Sequence, residues 1–220
     1  MRVRVKICGI TSVADALAAA DAGADAVGLN FASGPRRIEV DLAREIIAAL
    51  PPFVSPVALF VDAAAETILD TCAACAIGTV QLHGDEEPAF LKALRPLTVI
   101  KAFRVAAQED VDEIAAWCRS CGEGGQPAAI LLDSRVPGAR GGTGEAFDWR
   151  LAARVRSIGR LILAGGLGPE NVAEAIRVAR PFAVDACTRL ESAPGRKDRR
   201  RMADFVAAVR AAEAQLLTHL

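Results

Sequence analysis

Eight short runs of apolar, often β-branched residues recur along this chain, and each is followed by a segment with helical spacing. The runs lie at 4–8, 26–31, 55–61, 79–83, 99–105, 128–133, 161–164 and 183–186. Near-continuous apolar runs of this length suit parallel strands buried on both faces. Helical segments are expected at 12–22, 42–50, 64–75, 87–94, 108–121, 149–157, 169–179 and 198–217. Thr11 or Ser12 can cap the first helix and Gly23 can stop it, while Pro169 fits the first turn of its own helix. Eight βα units in 220 residues predict an α/β fold, a single-domain (β/α)8 TIM barrel over 1–220. A doubly wound open sheet would carry a Gly-rich dinucleotide fingerprint after its first strand, and Cys8-Gly9-Ile10-Thr11 is not one.

In such a barrel the active site lies at the C-terminal ends of the strands. Polar residues at those ends become candidates: Cys8, Asn30, Asp62, His83, Arg104, Asp133, the Gly165-Gly166 pair and the stretch from Asp185 to Arg189. Strand alternation turns Lys6 and Cys8 the same way, so an ammonium can favour the thiolate. The competing reading of Cys8 is a small buried apolar residue. Asp133 follows four apolar residues, and burial favours the protonated form of a carboxyl, which suits a general acid. A carboxylate that caps a loop or helix is the alternative. His83 shares a face with Gln81 and is a rival acid–base residue. A structural histidine partnered by Gly84-Asp85-Glu86 is the reading we prefer for it.

Two glycine-rich loops, at 141–144 and at 165–168, can bring backbone N–H groups to an anion. The second follows strand seven, where phosphate sites of these barrels commonly lie. Arg36 and Arg37, after strand two, suit bidentate carboxylate binding, or else form a solvated surface pair.

A net charge of −1 argues against a general nucleic-acid surface. No signal-peptide pattern and no run long enough to span a bilayer is visible, so a soluble cytoplasmic protein with no membrane partner is expected. Six cysteines in a chain this long do not make a disulfide framework. Cys72/Cys75 and Cys118/Cys121 have CxxC spacing, but they fall on the third and fifth helices without histidine support. They are read as apolar packing rather than zinc ligands, and no metal is expected.

Several segments together resemble the phosphoribosylanthranilate isomerase family of tryptophan biosynthesis. They are Lys6-Ile7-Cys8-Gly9-Ile10-Thr11, Val80-Gln81-Leu82-His83-Gly84, Leu132-Asp133-Ser134, Gly141-Gly142-Thr143-Gly144 with Phe147-Asp148-Trp149, and Ala164-Gly165-Gly166-Leu167 with Pro169-Glu170-Asn171-Val172. The ending Glu191-Ser192, Pro194-Gly195 and Lys197-Asp198 belongs to the same pattern. The resemblance implies a cofactor-free Amadori rearrangement of N-(5-phosphoribosyl)anthranilate, a small phosphosugar, to a 1-deoxyribulose chain. It implies Cys8 as general base and Asp133 as general acid. It also implies Arg36 on the anthranilate carboxylate, His83 and Asp185 near the substrate, and Gly142, Gly165, Gly166, Cys187 and Thr188 on the phosphate. Monomer and homodimer are both compatible with the sequence.

One departure stands out. The family usually has small residues of the Ser-Ser-Gly type after strand eight, where this chain has Cys187-Thr188-Arg189. Arginine in place of glycine either strains a backbone that needs positive φ or adds charge to the phosphate site. Two other functions compete with the isomerase. Another phosphosugar barrel enzyme, such as indole-glycerol-phosphate synthase, would want a catalytic lysine, for which Lys101 is the strand candidate besides Lys6. A non-catalytic phosphometabolite-binding paralogue would have no need of the Cys8 and Asp133 pair.

Overall fold

The structure, a computed structural model, describes residues 2–134 and 148–218. Eight parallel strands close into a barrel in chain order: β1 (Arg4–Cys8), β2 (Ala26–Asn30), β3 (Ser55–Phe60), β4 (Thr79–Leu82), β5 (Thr98–Val105), β6 (Ala129–Ser134), β7 (Leu161–Leu163) and β8 (Ala183–Ala186). β8 pairs back onto β1, with Lys6 opposite Asp185 and Ile7 opposite Ala186. The helices are α1 (Val13–Ala22), α2 (Val40–Ala49), α3 (Ala65–Ala74), α4 (Phe90–Ala93), α5 (Gln108–Ser120), α6 (Trp149–Val155), α7 (Val172–Ala179) and α8 (Arg199–Thr218). The (β/α)8 expectation therefore holds.

Strand alternation sorts the side chains into two cores. Outward residues such as Val5, Ile7, Val27, Leu29, Leu132 and Val184 pack against the helices in one buried layer. Inward residues Val57, Ile100, Ala102, Leu131 and Ile162 fill the barrel itself. The inward parity, continued to each strand's C-terminal end, delivers Cys8, Asn30, His83, Asp133 and Cys187 to the mouth.

Local chemistry fixes most element ends. Ser12 caps α1 by accepting from the Asp15 amide at 3.1 Å, and Gly23 ends it in the left-handed region at φ 96°. Two helices are shorter than their sequence patterns. The segment expected at 87–94 is a single turn at Phe90–Ala93, because Pro88 before it and Pro96 after it bracket the run. The helix expected from Pro169 begins at Val172, with Pro169 in the turn that precedes it. One element was not expected: a hairpin of β9 (Glu191–Ala193) and β10 (Arg196–Lys197), reached from β8 through a 3-10 turn at Thr188–Leu190. Pro194 followed by Gly195 at φ 79° has the residue pattern of a type II turn. This hairpin folds back over the barrel mouth: the Thr11 hydroxyl donates to the Gly195 carbonyl, and Lys197 N–H donates to Asp15 at 3.2 Å.

Candidate active site

A cavity of about 270 Å³ opens at the C-terminal ends of the strands, and Cys8, Arg36, His83, Asp133, Asp185 and Cys187 all line it. Gly165, Gly166 and Thr188 contribute to its wall as well. Gly142 lies outside the described residues. Asn30 lines the cavity too, its side chain accepting from the Ala32 amide at 2.9 Å. Asp62 and Arg104 do not line it: Asp62 accepts from the Asp85 amide at 2.7 Å, and Arg104 borders a neighbouring cavity.

Cys8 ends β1 with 7% of its surface exposed. Its thiol is held well below the ordinary value. The main cause is the Cys187 thiol, which gives hydrogen-bonding stabilisation to the Cys8 sulfur; burial opposes the charge, and the Lys6 and Lys197 ammoniums favour it. Lys6 is thus one contributor and not the principal one. Its ammonium lies 3.0 Å from Asp185 Oδ1, as an ion pair without the alignment of a hydrogen bond. Burial works against the Lys6 charge, yet Asp185 and Cys8 together hold its pKa above the ordinary lysine range. Burial pushes Asp185 up to about 7, against the pull of Lys6.

Room for the thiol comes from a glycine that the sequence reading passed over. Gly28 on β2 sits opposite Cys8. A Cβ there would come within 2.6 Å of Cys8 Sγ and 3.1 Å of Lys6 Nζ. The available signal was a lone glycine inside a strand, a mark of close approach.

Asp133 projects inward from β6 and is 8% exposed. Its Oδ1 accepts from the Ser134 amide at 2.9 Å, and a Cβ at Gly165 would fall 3.0 Å from that oxygen. His83 Nε2 lies 3.4 Å from Asp133 Oδ2 without hydrogen-bond alignment, and Gln81 Nε2 meets His83 Nδ1 at 3.1 Å. The partners of His83 are therefore Gln81 and Asp133, not the 84–86 turn. That turn has its own task, since Glu86 accepts from the Gly84 and Asp62 amides. His83 Nε2 thus faces the carboxyl while Nδ1 meets the Gln81 amide nitrogen.

The two arginines after β2 separate. Arg37 pairs with Glu39 at 3.0 Å on the exposed surface. Arg36 reaches the cavity and forks Glu191 through Nε at 2.8 Å and Nη2 at 2.7 Å. Glu191 in turn takes the ammonium of Lys197 at 2.9 Å, and Lys197 Nζ lies 3.6 Å from Cys187 Sγ. Glu191 and Lys197 were not assigned a role from sequence. The hairpin brings them in, and the Pro194-Gly195 turn between them was the legible signal.

The loops after β7 and β8 build one end of the cavity. Gly165 and Gly166 adopt φ 81° and 62°, which side-chain-bearing residues rarely do. Arg189 is not among the residues with positive φ, so its backbone is unstrained; it starts no kink and donates to Glu170 at 3.1 Å. Lys101 is committed elsewhere: its ammonium meets Glu86 at 3.0 Å and the carbonyls of Gly84 and Ala102. Cys72 and Cys118 are buried in the helical layer, and burial raises each to about 11. Among the described residues no group of three or more His, Cys, Asp or Glu side chains could hold a metal ion, and no helix is long and apolar enough to cross a membrane.

Residues 5–208 match the family model described as N-(5'phosphoribosyl)anthranilate (PRA) isomerase. The chain belongs to the PRA isomerase family. It is 46% identical over 214 residues to N-(5'-phosphoribosyl)anthranilate isomerase of Magnetococcus marinus, covering 97% of this chain and 98% of that protein. The crystal structure of phosphoribosyl anthranilate isomerase from Thermotoga maritima superposes with a TM-score of 0.86 at 40% identity, covering 95% and 99% of the two chains. A PRA isomerase solved in complex with reduced 1-(o-carboxyphenylamino)-1-deoxyribulose 5-phosphate gives a TM-score of 0.83 at 39% identity, with the same coverage. The barrel is thus that of the PRA isomerases.

Proposed function

We propose that Cys8 and Asp133 are the base and acid with which this chain performs the isomerisation that names its family. The observation that carries the assignment is one cavity lined by a thiol whose neighbours hold it well below the ordinary thiol range and by a buried carboxyl, on separate walls of the barrel mouth. An Amadori rearrangement needs an acid that keeps its proton beside a base that has lost one. Asp133 protonates the furanose ring oxygen of N-(5'-phosphoribosyl)anthranilate, and the ring opens to an imine. The Cys8 thiolate then removes the C2′ proton, and the enolamine tautomerises to the ketone. His83, just past the end of β4, faces Asp133 with Nε2 3.4 Å from the carboxyl's second oxygen.

The substrate's two anionic ends set its direction. The phosphate lies on the Gly165-Gly166 loop and the Cys187-Thr188 backbone, where glycine lets the chain come close to oxygen. The anthranilate carboxylate lies toward Arg36, whose Nη1 edge is left over from the fork with Glu191. Asp185, beside Lys6, faces the sugar between these ends.

The test is the loss of anthranilate-type fluorescence when the purified chain meets freshly generated phosphoribosylanthranilate. Wild-type turnover is expected, with none from folded Cys8→Ser or Asp133→Asn. Full turnover by either variant refutes the role given to that residue.

A further inference from the structure

The catalytic reading uses one thiol, but the cavity mouth holds two. β1 and β8 are parallel neighbours, with Lys6 opposite Asp185. The last pair is Ile7 with Ala186, so the next residue of each chain segment, Cys8 at the end of β1 and Cys187 just past β8, follows side by side. Adjacent strands lie about 4.8 Å apart, inside the span of about 4.4–6.8 Å that a disulfide bridges between Cα atoms. Gly9, next to Cys8, lacks the Cβ that would fall 2.9 Å from Cys187 Sγ, so the second sulfur leans over the tip of β1. Both thiols are free and both line the cavity. We propose that Cys8 and Cys187 form a redox site that closes to a disulfide when a small peroxide oxidises Cys8.

The chemistry balances in two steps. The Cys8 thiolate attacks a peroxide oxygen, the O–O bond breaks, and hydroxide leaves; Cys8 becomes a sulfenic acid. The Cys187 sulfur then attacks the sulfenic sulfur, forming the S–S bond and releasing water with the Cys187 proton. Two electrons pass from the two sulfurs to the peroxide. The neighbours divide the roles: Cys8, beside two ammoniums and the Cys187 thiol, has its pKa lowered and is the attacking group, whereas Cys187 has its pKa raised and resolves. Lys197 at 3.6 Å assists the second step by stabilising the thiolate that Cys187 must become. The four remaining thiols are buried, and burial keeps them protonated, so they act as internal controls.

The experiment treats the intact protein with hydrogen peroxide, blocks remaining thiols with N-ethylmaleimide under denaturing conditions, and maps tryptic peptides. The expected product joins peptide 7–36 to peptide 178–189, two hydrogens lighter than their sum, with Cys72, Cys75, Cys118 and Cys121 alkylated. Dithiothreitol should break the link and return activity. Cys8 found alkylated, or found as sulfinic acid while Cys187 is alkylated, overturns the proposal. In Cys187→Ser, measured against its own untreated sample, the same peroxide should carry Cys8 to the sulfinic acid and destroy activity beyond recovery by dithiothreitol. Recovery equal to that of wild type would also overturn it. The activity arm rests on Cys8 being the base; the mass map does not, so the two failures are distinguishable.

Discussion

Replacing Gly28 by alanine tests whether the fit of the Cys8 thiol, and not merely its presence, sets the rate. The new methyl would stand 2.6 Å from Cys8 Sγ and 3.0 Å from Cys8 Cα. Ordinary contact needs about 3.5–4.0 Å, so the sulfur must retreat by about 1 Å. Rotating the thiol does not relieve the contact with Cα, so β1 and β2 must also part slightly. A reacting group misplaced by about 1 Å costs on the order of 10²-fold in rate, about 2.7 kcal/mol of barrier. The overpacking costs about 1–3 kcal/mol of stability, a fall of a few degrees in melting temperature for a chain of this size. The assay is kcat and KM from substrate fluorescence, run with a thermal melt and the alkylation rate of Cys8. The expected pattern is a collapse of kcat with KM little moved. Gly78→Ala, where a Cβ meets nothing within 4 Å, is the control and should retain full activity. Wild-type kcat in Gly28→Ala would refute the argument that this glycine positions the base.

Cys187→Ala removes the thiol that most favours the Cys8 thiolate, so the pKa of Cys8 rises and the acid limb of the kcat/KM–pH profile moves to higher pH. One hydrogen bond to a charged group is worth about 1.5–3 kcal/mol, or about 1–2 pH units, and an unmoved limb would show that other groups set the thiolate. Cys8→Ser and Asp133→Asn should each lower kcat by about 10²–10⁴-fold with an unchanged circular-dichroism melt. Lys6→Met leaves Asp185 buried beside an apolar chain, and should lower stability by about 3–5 kcal/mol in denaturant titration, since one partner of a buried pair is removed. Asp185 is raised from 3.8 to about 7 by burial, so the folded state holds its proton over a range in which the unfolded chain has lost it. Its contribution is therefore complete below 3.8 and lost as pH climbs to about 7; the stability of wild type relative to Asp185→Asn should fall across that window, and a flat difference would contradict it.

The barrel was legible because burial on both faces forces a strand to be apolar throughout, and that pattern survives in the letters. The mouth was legible where strand parity alone decided it, as at Cys8 and Asp133. His83 was placed correctly at the mouth, but its partners were misjudged. Gly84, Asp85 and Glu86 are its neighbours in sequence, whereas Asp133 reaches it only through barrel closure. The same limit hid the chain from Arg36 through Glu191 and Lys197 to Cys187, which a short hairpin assembles from separate loops. Arg189 shows the reverse case. Its letter departed from the family pattern and raised the prospect of strain, yet a 3-10 turn accommodates any side chain at that φ.

The pairing of β1 with β8 also bears on how the protein is made. Residues 4–8 leave the ribosome well before their partners at 183–186 and the hairpin lysine at 197. Until then β1 has an open edge, Cys8 lacks both the thiol and the ammonium that settle its charge, and long-range closure of this kind is slow. The base thus gains its reactivity only once residues 183–197 have been made and have docked on β1. A nascent or truncated chain ending before residue 187 would carry Cys8 as an ordinary, unreactive thiol.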